Sequence, residues 1–330
     1  MKHILLIGGA GYIGTVITKY LIDKNIKVRV LDNLLYDNKN VINKFLHLDD
    51  FSFVRGDLCN QSDVVSSLDG ITDVIILGGL VGDPITKKYP DLNDKINDSG
   101  IKNCINTLNN KNLNKVIFVS TCSNYGLIKD DQIADEDFEL KPLSLYSKAK
   151  VEIEKFILEK KNEKIDYEPV ILRFATAFGS SARMRFDLTI NEFIYELLNG
   201  RELIVYDPDT WRPYCHVIDF ARLTSEIIIN NKKNLSFEIF NAGSDKNNFT
   251  KRRIVDLIAD KIKGSKIKYK EGDVDPRNYR VSFKKLESKL NFKTKYNVND
   301  GIDELIKFIK LNKFENKSLF GNYNIDKNAK

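Results

Sequence analysis

The 330-residue chain predicts an α/β fold built on a doubly wound parallel sheet of about seven strands, joined to a smaller second lobe. Three observations lead there. Apolar runs of strand length alternate with segments of helical periodicity through the first half of the chain. A glycine-rich turn joins the first run to the first helical segment. After Phe174 the alternation breaks, and the chain leaves the sheet before returning to it.

The apolar run Ile4–Ile7, within a strand over His3–Ile7, reads as a buried parallel strand. Gly8, Gly9, Gly11 and Gly14 follow, overlapping a helix over Tyr12–Asp23 that carries Ile13, Val16, Ile17 and Leu21 on one side. Further strands are expected at Lys27–Leu31, Ser52–Val54, Asp73–Leu77, Lys115–Val119, Pro169–Phe174 and Phe237–Phe240. Helices are expected at Ser62–Leu68, Asp91–Asn110, Ser144–Lys160 and Val217–Asn230. Such a rhythm argues for a parallel sheet whose ligands bind at the carboxyl ends of the strands. Beyond Phe174 come a helix at Asp187–Asn199, a short strand near Leu203–Tyr206, a return to the sheet over 214–240, and helices at Thr250–Lys263 and Gly301–Leu311. The expected division is therefore 1–175 with 214–240 for the sheet domain, and 176–213 with 241–330 for the second lobe. Asn312–Lys330, rich in Asn and Lys, reads as a poorly ordered end.

Composition narrows the class. A hydrophobic content of 42% and a charged content of 30% suit a soluble enzyme. The net charge of +6 is modest, and basic residues are interleaved with acids, which argues against a nucleic-acid face. Cys59, Cys104, Cys122 and Cys215 show no paired spacing, and His3, His47 and His216 are far apart, so neither a disulfide framework nor a metal site is expected. The N-terminal apolar run stops at Gly8, too early for a signal peptide, and no stretch is long enough to span a membrane. A cytoplasmic protein is expected.

The glycine turn carries the first chemistry. Gly8 allows a tight turn, Gly11 lets a pyrophosphate approach the backbone, and Gly14 lets the helix pack closely on the strand. The unpaired N–H groups and positive end of the helix then face phosphates. Asp32 ends the second strand 18 residues after Gly14, where a carboxylate can accept both ribose hydroxyls of NAD and would repel the 2′-phosphate of NADP. The second piece of chemistry lies downstream. Thr121 follows the strand Lys115–Val119, Tyr146 comes 25 residues later, and Lys150 stands four further on. On a helix Tyr146 and Lys150 share a face one turn apart. A neighbouring ammonium and a positively charged nicotinamide both favour phenolate over the ordinary tyrosine pKa of about 10. Tyr146 could then take a proton from a substrate hydroxyl while hydride leaves the same carbon, with Thr121 orienting that hydroxyl and Lys150 holding the nicotinamide ribose.

With these residues stand Leu31-Asp32-Asn33, Gly56-Asp57-Leu58, Tyr125-Gly126, Pro142, Leu172-Arg173-Phe174, Gly179, Arg212-Pro213-Tyr214-Cys215-His216-Val217, Asn241-Ala242-Gly243 and Asp275-Pro276-Arg277. Over roughly residues 1–310 the chain resembles the extended short-chain dehydrogenases/reductases, specifically the NAD-dependent sugar-nucleotide epimerase/dehydratase family. The resemblance implies a Rossmann-type NAD-binding domain and a discontinuous lobe for a nucleotide-diphosphate sugar. It gives the cofactor Gly8, Gly11, Tyr12, Ile13 and Gly14, then Asp32 and Asn33. Asp57 and Leu58 would frame the adenine, Leu77, Gly78 and Gly79 would line the pyrophosphate and ribose, and Ser120 and Phe174 would complete the nicotinamide end. Arg212 and Arg277 resemble the family's pyrophosphate-clamping arginines, for which a guanidinium fork is well suited. Thr176, Arg183, Arg185 and Asn191 are further substrate-side candidates, and His216 reads as structural.

Departures from the family pattern narrow the reaction. The family usually has two alanines where this chain has Gly78-Gly79, which keeps the cofactor approach open on a floppier backbone. Family 4,6-dehydratases carry Asp-Glu after the active-site Thr, where this chain has Cys122-Ser123. Thr176 replaces the family's substrate-side Asn. A 3,5-epimerising reductase would need a Cys/His pair, for which Cys122 and His216 are the candidates. What remains is oxidation at carbon 4 of an NDP-hexose or NDP-heptose, followed either by re-reduction to an epimer or by release of the ketone, for example from a GDP-heptose. A non-catalytic dinucleotide-binding sensor is the alternative from another class. Homodimerisation is expected through Asp91–Asn110 and Ser144–Lys160, with Ile96, Ile101, Ile105, Ile153 and Ile157 divided between that interface and the core.

Overall fold

The computed structural model describes residues 2–230, 234–272 and 277–325. Asp275 and Pro276 of the motif ending in Arg277 lie outside the described residues. Twelve strands are described: β1 (His3–Ile7), β2 (Lys27–Asp32), β3 (Phe51–Arg55), β4 (Asp73–Ile76), β5 (Lys115–Thr121), β6 (Glu168–Phe174), β7 (Thr176–Phe178), β8 (Glu202–Tyr206), β9 (Trp211–His216), β10 (Glu238–Ala242), β11 (Asn248–Thr250) and β12 (Lys266–Lys270). Seven of them form one parallel sheet in the order β3-β2-β1-β4-β5-β6-β10. Strand order reverses between β1 and β4, and a crevice opens at their carboxyl ends.

The period of two in each strand divides its apolar side chains between two cores. Ile4, Leu6, Val28, Val30, Ile75, Ile117 and Val119 face one side, with the helices Tyr12–Ile22 and Val217–Ile229 over them. Leu5, Ile7, Val74, Ile76, Val116 and Phe118 face the other, under Ile101–Thr107 and Leu145–Glu159. That continuous burial explains why these strands read as unbroken apolar runs.

Four expectations need revision. Residues 214–216 do not rejoin the main sheet; they belong to β9, which pairs with β7 and β11 in a separate three-stranded sheet, and only β10 returns. The long helix expected at Asp91–Asn110 is interrupted, running as Pro90–Asn93, a π-helical stretch Asp94–Gly100, and Ile101–Thr107. Ile96, Ile101, Ile105, Ile153 and Ile157 are all buried within the chain, so they are core and offer no dimer face. The segment after Asn312 is placed as far as residue 325: Phe314 and Phe320 pack on Phe186 at ring separations of 5.0 and 6.0 Å. Residues 326–330 lie outside the described residues.

A buried ion pair ties the end of β5 to its neighbours. Glu154, on the helix Leu145–Glu159, accepts from Arg173 of β6 through Nη2 at 2.8 Å and Nε at 3.1 Å. It also accepts from Ser120 and, at 2.8 Å, from Asn124 Nδ2. Arg173 continues to the Tyr125 hydroxyl at 3.0 Å, and Tyr125 reaches Asn241 of β10 at 2.7 Å. Removing the carboxylate leaves a guanidinium buried without its counter-charge. Glu154→Ala is therefore expected to cost about 3–5 kcal/mol of unfolding free energy in urea titration. A loss below about 1 kcal/mol would show that β5 is held by packing alone.

Candidate active site

The carboxyl ends of the parallel strands, the turn after β7 and the segment near residue 322 enclose one continuous cavity. Its floor is the glycine turn. Gly8 has a φ of +80°, and a Cβ there would lie 2.3 Å from the Cα of Gly78. A Cβ on Gly14 would meet the Gly9 carbonyl oxygen at 2.5 Å, so the helix is seated on the turn itself. A Cβ on Gly11 would have the Gly8 carbonyl oxygen at 3.6 Å as its one close neighbour, which leaves the space in front of the turn to a ligand. Tyr12 and Ile13 also line this end, although the Tyr12 hydroxyl is spent on the Gly179 carbonyl at 2.6 Å.

Asp32 closes the same end. Its carboxylate accepts from Ala10 N at 3.0 Å and Leu34 N at 2.8 Å. Burial raises its pKa, opposed by those two amides and by Arg183. Each oxygen keeps further acceptor capacity toward the cavity, which suits a ribose diol. Asn33, Asp57, Leu58, Leu77, Gly78 and Gly79 line the adjoining wall. In the Gly78-Gly79 pair it is Gly79 whose backbone requires glycine. Gly79 has a φ of +151°, and a Cβ there would lie 2.7 Å from Asn97 Oδ1. Asn97 braces the loop by accepting from Leu80 N at 2.7 Å and donating to Leu80 O at 2.8 Å. The cradle at Gly11, the diol-ready carboxylate and the helix N-terminus together fit a dinucleotide.

Ser120, Thr121, Tyr146, Lys150 and Phe174 form the opposite wall. Thr121 Oγ1 accepts from Ser123 N at 3.1 Å, which leaves its hydrogen to donate into the cavity. Lys150 Nζ donates to the Val119 carbonyl at 2.8 Å and lies 5.9 Å from the centre of the Tyr146 ring. Burial pulls the Lys150 ammonium down to about 7, with Glu154 opposing. Burial pushes the Tyr146 phenol above its ordinary value and Asp83 adds to the rise, while Arg185 and Arg277 oppose it. The cations acting on the phenol are thus arginines of other elements, and Lys150 on its own helix is not among them. Phe174 is held flat against Phe220 with ring centres 3.9 Å apart.

The arginines form two groups. Arg212 donates to the Arg277 carbonyl and lies with its guanidinium 5.1 Å from the Tyr279 ring centre. Arg277 is paired with Asp83 at 2.7 Å. Arg185 makes a bidentate pair with Asp187 at 3.0 and 2.6 Å. Arg183 stands over the Tyr36 ring at 5.2 Å, and burial lowers its pKa to about 10, with Arg185 adding to the fall. Thr176 lines the same cavity. Asn191 does not reach it: its carbonyl accepts from Gly179 N at 3.2 Å, and its amide donates to the Tyr12 hydroxyl and the Arg185 carbonyl at 3.1 and 3.0 Å. It braces the loop that carries the arginines.

The Cys122/His216 pairing does not form a site. The Cys122 thiol faces the Arg173 carbonyl at 3.2 Å, whereas His216 lies behind Gly179 with Nε2 2.6 Å from the Glu304 carboxylate. Sequence reasoning missed Asn38, Asp83, Asp187, Tyr279, Asn322 and Tyr323, all of which line the cavity. Asp83 carried a faint signal, an acid one residue after the glycine that ends the β4 loop. The others belong to segments without a motif. Among the described residues, no cluster of His, Cys, Asp or Glu side chains is placed to hold a metal, and no helix is long and apolar enough to cross a membrane.

Residues 4–243 match the model of the NAD dependent epimerase/dehydratase family. The chain belongs to that family. It is similar to the bifunctional UDP-glucose 4-epimerase and UDP-xylose 4-epimerase 1 of Pisum sativum, 26% identical over 338 residues covering 91% of this chain and 93% of the relative. Among solved structures, the UDP-glucuronic acid 4-epimerase of Bacillus cereus, in complex with UDP-glucuronic acid and NAD, aligns with a TM-score of 0.83 at 24% identity, covering 94% of this chain and 99% of that one. The dTDP-glucose 4,6-dehydratase of Bacillus anthracis, in complex with NAD, also aligns at 0.83, with 20% identity and coverage of 97% and 100%. At such identities the two structures establish the fold; they do not select a reaction.

Lys150 gives a signed prediction. At or below pH 7 the buried ammonium opposes folding in full. Between about 7 and 10.5 the unfolded chain also gives up its proton and the penalty fades. Lys150→Met is expected to abolish turnover and to stabilise the chain by on the order of a few kcal/mol at pH 7. The gain should shrink as pH rises toward 10.5, measured as melting temperature against pH. A variant less stable than the parent at pH 7 would refute the assignment of a buried, depressed Lys150.

Proposed function

We propose that this chain oxidises carbon 4 of a nucleotide-diphosphate hexose or heptose and returns the hydride to the opposite face, acting as an NDP-sugar 4-epimerase. The observation that carries this is one cavity in which Thr121, Tyr146 and Lys150 face the dinucleotide cradle, with Arg212 and Arg277 on the same cavity's substrate side. Bound NAD supplies the hydride acceptor. Tyr146 takes the proton of the carbon-4 hydroxyl as that carbon becomes a ketone, and gives it back on re-reduction. Thr121 donates to the same oxygen and fixes its direction. Lys150 holds the nicotinamide ribose and favours the phenolate. Arg212 and Arg277 grip the diphosphate, with Asp83 setting the position of Arg277.

The two positions after Thr121 support oxidation without elimination. Cys122 is buried against a backbone carbonyl, and Ser123 pairs with the Tyr279 hydroxyl at 3.2 Å. Neither supplies the acid and base that loss of a sugar hydroxyl requires. Release of the 4-ketone, as a dehydrogenase would do, uses the same three residues and differs only in the fate of the reduced cofactor.

The deciding experiment incubates the purified protein with UDP-, dTDP- and GDP-sugars and follows both product stereochemistry and reduced nicotinamide absorbance. A carbon-4 epimer without net reduced cofactor is expected. A 4-keto product with stoichiometric reduced cofactor would move the assignment to a dehydrogenase, and no change in any sugar would reject both. Tyr146→Phe should lower turnover by at least about 100-fold while leaving dinucleotide binding within about threefold of the parent.

A further inference from the structure

The segment Phe320–Ile325 crosses the cavity and is tied down on both sides. On the side of the second lobe, Phe186 N donates to the Phe320 carbonyl at 2.7 Å and Arg183 Nη2 to the Gly321 carbonyl at 3.2 Å. Lys317, just before the segment, pairs with Glu192 and Glu196 at 2.5 and 2.7 Å. On the side of the parallel sheet, Asn322 Nδ2 donates to the Val81 carbonyl at 2.9 Å, and Lys88 Nζ donates to Asn324 Oδ1 at 2.8 Å. Ile325 packs into the small apolar cluster of Leu35, Leu80, Ile85 and Ile96. Leu35 lies in the segment that follows Asp32 at the end of β2, Leu80 and Val81 directly follow Gly78-Gly79, and Ile85, Lys88 and Ile96 lie on the helical segments beyond them.

Two side chains of the segment line the cavity and each carries a buried, unpartnered polar atom. Asn322 and Tyr323 both line it, and Asn322 is 7% exposed. Asn322 Oδ1 and Tyr323 Oη are buried with no hydrogen-bond partner among the described residues. A buried polar atom of this kind is costly unless something in the cavity completes it. Asn322 Oδ1 can only accept, which suits a ribose hydroxyl. Tyr323 Oη can donate, which suits a hydroxyl or phosphate oxygen. The neighbouring Arg183 acts on Asp32, at the ribose end of the cradle.

We propose that Asn322 and Tyr323 are cofactor-binding residues, carried on a strap that makes the dinucleotide resident. The proposal rests on the dinucleotide reading of the cavity. A cofactor lying beneath a segment anchored at both ends leaves only when those anchors open. Hydride taken from one face of a sugar is then returned before the cofactor can exchange.

The test loads the full-length protein with NADH and measures its release by the loss of bound-nicotinamide fluorescence on mixing with excess NAD. The parent is compared with the double variant Asn322→Ala/Tyr323→Phe and with a chain ending at Leu319. Release at least about tenfold faster in the double variant, with a melting temperature within a few degrees of the parent, is the expected result. The shortened chain should release faster still; if it does not fold, the double variant decides. Release rates equal to the parent's in the folded variants overturn the strap. A parent that takes up no dinucleotide overturns the cofactor reading beneath it, which is a separate and recognisable outcome.

Discussion

The site depends first on how closely two backbones approach. Strands β1 and β4 are neighbours at the point where strand order reverses, and their carboxyl ends meet glycine against glycine. Gly78 lies so close that Gly8 has no room for a side chain, while a Cβ on Gly78 would meet Leu58 Cδ2 at 2.7 Å. The crossovers on the two sides diverge from that contact, and the crevice begins directly above it. The next residue extends the constraint. A Cβ on Gly79 would collide with Asn97, and Asn97 is presented from a π-helical turn. The break in the long helix is therefore coupled to the floor of the site. An uninterrupted α-helix would carry this side chain at a different angle, and π-turns recur where a functional loop needs such a brace.

Charge is the second constraint. The cavity walls hold several arginines and acids, and most are matched within the protein: Arg185 with Asp187, Arg277 with Asp83, Asp32 with two backbone amides. Matched charges keep their geometry before any ligand arrives, and a diphosphate then meets oriented donors. Lys150 is the exception in kind. It faces a backbone carbonyl where Arg185 faces a carboxylate, and burial depresses it to about 7. A buried ammonium of this sort is a poor structural element, and its position one helical turn from Tyr146 gives it a chemical use instead.

Much of this was legible in the sequence because it rests on local rules. A glycine turn between an apolar strand and an amphipathic helix has one principal structural solution, and an acid at the end of the next strand falls beside it. Tyr146 and Lys150 were legible because helical spacing is local. What was not legible depends on contacts distant in sequence. The role of Asn191 as a brace follows from its meeting Tyr12 and Gly179 in space. The isoleucines of the two long helices were indistinguishable as core or interface until the packing of the helices was known. The segment after Asn312 looked disordered by composition, yet aromatic anchors at Phe314 and Phe320 and the pairing of Lys317 override that composition.

The fold leaves the reaction open, because an epimerase and a dehydratase align on this chain with the same TM-score of 0.83. The choice rests on which side chains reach the sugar. The position after Thr121 is turned inward to a carbonyl, and the next one is a serine engaged with Tyr279. Besides Asp187, which is held by Arg185, the cavity wall carries Asp83, at the start of the helix Asp83–Lys88, whose Oδ1 is buried with no hydrogen-bond partner among the described residues. Its other oxygen is committed to Arg277. A carboxylate held in that way is suited to accepting a hydrogen bond from a sugar hydroxyl through the oxygen that Arg277 does not hold. With Tyr146 for proton transfer and Asp83 for orientation, these side chains suit the proposed reversible oxidation at a single carbon, whereas elimination across two would need a further acid and base beside Thr121.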